Sequence, residues 1–249
     1  MSEKLDDVAE GALPLKSRFP FHHPEIEAVL DRQHAAAHAD KWKLIPRLPI
    51  YAWARLKGAL ADRTVQHRVF FDVYSAVTPE RGALLYLMAR AIHAKRVVEF
   101  GSSFGISTIY LATAVRDNCE SGCNPAPEVI GSEMEPHKLS EAAKNIRAAG
   151  LSDIAKILPG DALETLQTVE GPVDLAFLDG RKDLYLPVLK LLKPKLRPGA
   201  VILSDNIFTF DKEVTLFLEY VQSGKNGFAS STLKISDGVE LSVFERSGE

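Results

Sequence analysis

Arg96-Val97-Val98-Glu99-Phe100-Gly101-Ser102-Ser103-Phe104-Gly105-Ile106-Ser107 is the stretch on which the reading of this 249-residue chain turns. A short run rich in Val and Phe meets two glycines four positions apart, and an apolar stretch from Ile106 to Val115 follows. That order predicts a buried strand, a tight turn and a helix. Gly101 and Gly105 let the backbone pass close beneath a ligand, and the amides opening the next helix are placed to receive an anion. The same glycines would also serve a plain strand–helix turn, so both readings stand at this point.

Downstream the pattern repeats. Val129–Ser132, Ala155–Leu158, Val173–Leu178 and Ala200–Ser204 read as further strands. Helices are expected through Leu139–Ile146, Leu163–Val169 and Tyr185–Leu192, the last one stopped by Pro194, Pro198 and Gly199. The tail departs from this alternation: Ser231–Ile235 and Val239–Phe244, around Ser236-Asp237-Gly238, read as a hairpin at the sheet edge. The predicted fold is therefore α/β: a Rossmann-like, doubly wound, mostly parallel seven-stranded sheet with a C-terminal antiparallel hairpin and an N-terminal helical extension.

Composition agrees with an ordinary globular protein, at 46% hydrophobic and 25% charged residues with 16 glycines and 14 prolines. A formal net charge of −3 argues against a protein built mainly to hold nucleic acid. Cys119 and Cys123 lie in one polar loop with no histidine pair at ligand spacing, and are expected as reduced thiols, with a redox pair as the lesser reading. The polar start, Met1-Ser2-Glu3-Lys4-Leu5-Asp6-Asp7, does not resemble a secretory signal, and no apolar run reaches the ~18–20 residues of a membrane span. The expected compartment is the cytoplasm.

Upstream of the strands, residues 1–20 are expected as a mobile arm and Pro24–Ala39 as a helix. From Lys41 to Arg68, Lys41, Lys43, Arg47, Arg55, Lys57, Arg63 and Arg68 face one acid, Asp62, and both tryptophans, Trp42 and Trp53, fall here. Three readings compete. The stretch is a solvated basic face with its tryptophans packed inward, a lid or dimer contact meeting an anionic substrate, or a membrane-surface helix. Pro46 and Pro49 count against the last.

Ligands of parallel sheets bind beyond the carboxyl ends of the strands. The glycine loop also spells G-x-S-x-G around Ser103, the pattern of a hydrolase nucleophile. That fold needs a late histidine, and the only one after Ser103 is His137, far too early. A dinucleotide dehydrogenase needs G-x-G-x-x-G, and its second glycine is Ser103 here. The spacing suits a smaller cofactor, with Glu133 after the second strand available for ribose hydroxyls and Met134 and Phe104 for flanking an adenine, although such residues are more often core. At the same rim, the fourth strand ends in Asp179, followed by Lys182, and the fifth ends in Asp205-Asn206. Singly these are ordinary caps and turns. Jointly, two carboxylates and an amide oxygen suit a hard cation, above all Mg²⁺.

With these pieces assembled, the sequence resembles the metal-dependent class I O-methyltransferases, the group of catechol and caffeoyl-CoA O-methyltransferases. The segments that match, in order, are Thr78-Pro79-Glu80-Arg81-Gly82, Val98–Gly101 with Gly105 and Ser107, Glu133–Pro136, Gly160–Leu163, Phe177–Asp179 with Lys182-Asp183, and Ser204–Asn206. The resemblance covers about Ser75–Glu245, dividing the chain into an extension over 1–65 and a methyltransferase domain over 66–249. It implies S-adenosylmethionine as cofactor. Its methionine end would lie on Val77, Glu99, Gly101, Ser102 and Ser107 beside Gly105. Its ribose would lie on Glu133 near Met134, and its adenine edge on Asp161 and Ala162. It implies Asp179, Asp205 and Asn206 as ligands of Mg²⁺ or another divalent cation, Lys182 as general base, a catechol-type phenolic acceptor, and a homodimer. Two departures stand out: Gly180-Arg181 replaces an aromatic that stacks on adenine in some members, and Ser231 or a neighbour replaces an acid near the final hairpin.

Overall fold

A computed structural model of the chain describes residues 23–57, 64–65, 69, 76–119, 123 and 126–245. The expected arm over residues 1–20, and Arg63 and Arg68 of the basic stretch, lie outside the described residues.

Five parallel strands carry the centre: β1 Arg96–Phe100, β2 Glu128–Glu133, β3 Ala155–Pro159, β4 Val173–Leu178 and β5 Leu196–Asp205. The hairpin strands β6 Phe228–Leu233 and β7 Val239–Phe244 complete a sheet of order β3-β2-β1-β4-β5-β7-β6, with β7 antiparallel to β5. Strand order reverses between β1 and β4, which opens a crevice above their carboxyl ends.

Strand residues alternate between two cores. Val97, Val129, Leu175, Phe177, Val201 and Leu203 face helices α1 (Pro24–Asp40), α3 (Pro79–Ala91), α4 (Ile106–Asp117) and α5 (Pro136–Ala148). Val98, Ile130, Val173, Ala176, Leu178 and Ile202 face the short α6 (Ala162–Thr165), α7 (Tyr185–Leu192) and α8 (Asp211–Gln222). Burial on both sides explains why these strands read as unbroken apolar runs. Helix α1 joins the first core through Ile26, Val29 and Leu30, and Gln33 bonds Asn145 at 2.6 Å. A turn of 3-10 helix, Lys41–Arg47, then leads into α2, Leu48–Lys57.

Several expectations are corrected. Strand β5 begins at Leu196, not Ala200: a register shift against Val173 and Leu175 lets the strand carry Pro198 and Gly199 at its exposed start. The helix expected over Leu163–Val169 is one turn, Ala162–Thr165, followed by a 3-10 turn. Cys119 and Cys123, expected as thiols, are joined in a disulfide, their Cα atoms 5.5 Å apart and within bridging reach. Trp42 and Trp53 do not pack inward; they are 74% and 54% exposed, because α2 buries Ala54 instead. Among the described residues no helix is long and apolar enough to cross a membrane.

Candidate active site

The glycine loop is built by close approach. Gly101 takes φ +92°, and a Cβ there would stand 2.6 Å from the Gly180 backbone, so the turn after β1 and the turn after β4 touch main chain to main chain. Gly101 and Ser102 donate their amides to the Ser132 carbonyl, pinning the loop to β2. Gly105, with φ +80°, opens α4 against Ala142. Beside it lies a cleft of about 980 Å³ lined by Gly101, Glu133, Met134, Ala162, Asp179, Lys182 and Asn206 among others.

Not every predicted site residue faces that cleft. Val77 packs in the first core, and Phe104 is buried edge-on to His137. Asp161 caps α6 by accepting the Leu163 amide at 2.9 Å. Ser102, Ser107 and Glu99 lie beneath the loop, Glu99 fully buried. Glu99 Oε2 accepts the Ser102 and Thr108 hydroxyls, while Oε1 is left without a donor. Burial raises its carboxyl above the usual range, against the pull of the nearby hydroxyls. A buried carboxylate oxygen lacking a donor fits the ammonium of a methionine moiety, as an uncharged floor would not. Glu133 accepts the Ser103 and Glu135 amides, one on each carboxylate oxygen. Ser103 Oγ is buried without a partner, so no base addresses it and the hydrolase reading has no support in the geometry.

Asp179, Lys182 and Asn206 meet at the ends of the neighbouring strands β4 and β5. Lys182 is 5% exposed, and its Nζ donates to Asp179 Oδ1 at 3.0 Å, Asn206 Oδ1 at 3.3 Å and the Tyr185 hydroxyl at 2.7 Å. Tyr185 in turn donates to the Asp205 carbonyl at 3.0 Å. Burial first, then the Asp179 and Asp205 charges, push the Tyr185 hydroxyl well above its ordinary pKa, so it remains a donor. Asp179 and Asn206 thus share one cationic group. Asp205 stands apart from the cleft lining: its Oδ2 takes Arg81 at 2.9 Å and its Oδ1 takes the Asn206 amide at 2.8 Å. Burial and the Asp179 charge push the Asp205 carboxyl up to about 7, with Arg81 and Lys182 opposing. Two carboxylates and an amide oxygen fit a hard cation by donor chemistry.

Sequence reasoning missed three features. Arg81 lay in a quoted segment, yet nothing marked its guanidinium as the partner of Asp205. Tyr185 read as an ordinary helix-start aromatic. Arg47, Leu48 and Tyr51 of the extension line the cleft, a role that the cation and tryptophan bias of their segment hinted at without locating.

Comparison with known proteins agrees with this geometry. A methyltransferase-domain family model matches residues 98–207. Catechol O-methyltransferase of Mycobacterium tuberculosis is 37% identical over 133 residues, covering 53% of this chain and 57% of that protein. The O-methyltransferase TomG from Streptomyces achromogenes, solved with SAM, superposes with a TM-score of 0.63 at 26% identity over 77% of this chain and 89% of its own. An O-methyltransferase from Bacillus cereus, solved with SAH, shares the fold at a TM-score of 0.66 and 21% identity, covering 92% and 93% of the two chains. The chain spans a little over half the length of the first curated relatives it matches. Residues 98–207 thus match a methyltransferase domain, and in sequence and fold the chain is similar to O-methyltransferases, catechol O-methyltransferase among them.

Proposed function

We propose that the chain transfers a methyl group from S-adenosylmethionine to a hydroxyl of a small catechol-type acceptor, with a divalent cation held by Asp179, Asp205 and Asn206 and with Lys182 as proton acceptor. The observation that carries this reading is the buried Lys182 ammonium set between Asp179 and Asn206 inside the cleft that the glycine loop also lines. When bound, the cofactor supplies an electrophilic sulfonium methyl, and a cation such as Mg²⁺ acidifies and orients a chelated phenol.

The chain's own residues do the rest. Glu99 receives the ammonium of the methionine end; Glu133 and Met134 flank the ribose and adenine, with Ala162 at the adenine edge. Tyr185 and the Asp205 carbonyl fix the position of Lys182 Nζ, which, after releasing one proton to solvent, would as the neutral amine take the proton leaving the acceptor hydroxyl. Arg47, Leu48 and Tyr51 wall the acceptor side, so residues 1–65 are assigned to shaping that pocket and 66–249 to the methyltransferase domain. Holding nucleophile and methyl at ~3–3.5 Å supplies much of the remaining rate. A homodimer is part of the same reading, on family likeness.

One observation favours a second reading. Arg81 occupies Asp205, as it would in a metal-independent methyltransferase in which Asp205-Asn206 is only a turn. Incubation with S-adenosylmethionine and a catechol panel, before and after chelation, separates the two. The first reading expects product formation to stop with chelator and to return with Mg²⁺, and expects Asp205→Ala to be inactive. Full turnover by metal-stripped enzyme or by Asp205→Ala gives the second reading.

A further inference from the structure

Helix α2 and the turn before it carry a second face besides the Arg47, Leu48 and Tyr51 side that walls the cleft. Six of the nine large apolar side chains exposed among the described residues fall in this one stretch: Trp42, Ile45, Leu48, Ile50, Trp53 and Leu56. Such a concentration marks an interaction face, whereas scattered apolar residues do not. The helix is two-sided. Leu48 and Tyr51 reach the cleft and Ala54 is fully buried, while Ile50, Trp53 and Leu56, spaced three apart, point to solvent with Leu56 83% exposed.

Neither of the prolines that argued against a surface helix interrupts α2. Pro46 sits in the short 3-10 turn, and Pro49 is the second residue of α2, where its missing N–H has no partner to lose. Charge selects the occupant. Residues 40–57 hold Lys41, Lys43, Arg47, Arg55 and Lys57 against one acid, Asp40, which pairs Lys43 at 3.0 Å, in a chain whose net charge is −3. A second copy seated face to face across a two-fold axis would set one net-cationic segment against another. An anionic lipid surface meets both demands: tryptophans settle at headgroup depth, Ile and Leu enter the acyl boundary, and Lys and Arg stay among the phosphates. Ten residues of α2 span about 15 Å, enough to lie in that interface and too short to cross it.

We propose that the Lys41–Lys57 segment is a docking surface for an anionic bilayer. Because the other side of α2 walls the cleft, docking brings the mouth of the cleft to the lipid–water boundary. This inference does not depend on the methyl-transfer reading.

Both tryptophans of the chain lie in the segment, so intrinsic tryptophan emission reports on it alone. The full chain is mixed with vesicles of phosphatidylcholine, or of phosphatidylcholine with 30% phosphatidylglycerol, and followed by emission and co-sedimentation. Docking predicts a blue shift and sedimentation with the anionic vesicles only, reversed by 0.5 M salt. Lys43→Glu with Lys57→Glu is expected to weaken binding by about 25-fold or more, at roughly fivefold per cation. Ile45→Ser with Leu56→Ser is expected to weaken it at least about tenfold. Variants are accepted only if they melt as the parent does. The proposal is overturned if the parent binds neither vesicle, if it binds both equally and the charge reversals change nothing, or if the blue shift follows protein concentration alone with a dimer in sedimentation velocity. Binding to single-stranded RNA in place of anionic vesicles also overturns it.

Discussion

Arg81→Met keeps most of the aliphatic bulk of residue 81 and removes the counter-charge of Asp205. The two side chains pair at 2.9 Å, with Arg81 8% and Asp205 1% exposed, and the main-chain bond from Arg81 to Thr78 survives the change. Arg81 Nε has no hydrogen bond, so the loss falls on the ion pair itself. Removing one member of a buried pair costs about 3–5 kcal/mol where the remaining charge stays desolvated. Because burial already raises the Asp205 carboxyl to about 7, the full loss is expected only well above that pH, where melting is therefore measured. At ~2–4 °C per kcal/mol for a domain of this size, melting should fall by roughly 6–20 °C. The assay is thermal unfolding of the parent, Arg81→Met, Asp205→Asn and the double variant. In the double variant no orphan charge remains, so its loss should be well below the sum of the two single losses. A fall of under 2 °C in Arg81→Met, or simple additivity in the cycle, refutes the view that this pair stabilises the rim.

Lys182→Met should lower turnover by ~10²–10⁴ while leaving affinity for S-adenosylhomocysteine within about twofold by calorimetry; a loss under tenfold removes Lys182 from the proton transfer. Gly101→Ala should abolish measurable cofactor binding and lower melting, because a Cβ would meet the Gly180 backbone at 2.6 Å from a left-handed φ. Ser103→Ala should retain turnover within about threefold, and an esterase activity lost with it would revive the hydrolase reading. Tyr86 donates to Asp117 at 2.8 Å, and burial, then the bond and charge of Asp117, raise its pKa to about 12. The unfolded phenol titrates near ~10, so the folded form holds its proton longer and this stability is lost as pH rises from 10 towards 12. Denaturant midpoints at pH 9 and pH 11 should therefore drop less in Tyr86→Phe than in the parent.

Most of the fold was legible because both faces of the sheet are buried. Val97 and Val98 face different cores, so β1 has no polar side to break its apolar run, and β2 and β4 behave alike. Where packing is one-sided or local geometry intrudes, reading failed. Pro198 and Gly199 look like a stop, yet the register shift opposite Val173 gives them a place in the strand. Helix α8 carried a readable stripe in Val214, Phe217 and Val221, and α3 carried a Thr78 cap with Pro79 behind it; neither was predicted as a helix.

The site divides along the same line. Asp179, Lys182 and Asn206 could be placed because each sits at or just beyond the end of a recognisable strand, and topology alone brings such ends to one rim. Arg81 could not, because its partner is 124 residues away and no periodicity links a helix's third residue to a strand tip. Gly180 shows the converse, a residue read correctly but given the wrong weight. Its lack of a side chain looked like the loss of an aromatic that stacks on adenine. In the structure a Cβ there would stand 2.4 Å from the Phe100 ring, whose strand also accepts the Asp179 amide. The aromatic at the end of β1 therefore dictates glycine at 180 by packing, whatever the cofactor requires. Under the proposed function, a flat ring entering the cleft beside Ala162 would then find its apolar face elsewhere, and Met134, Leu184 and Phe210 are apolar side chains that line the cleft.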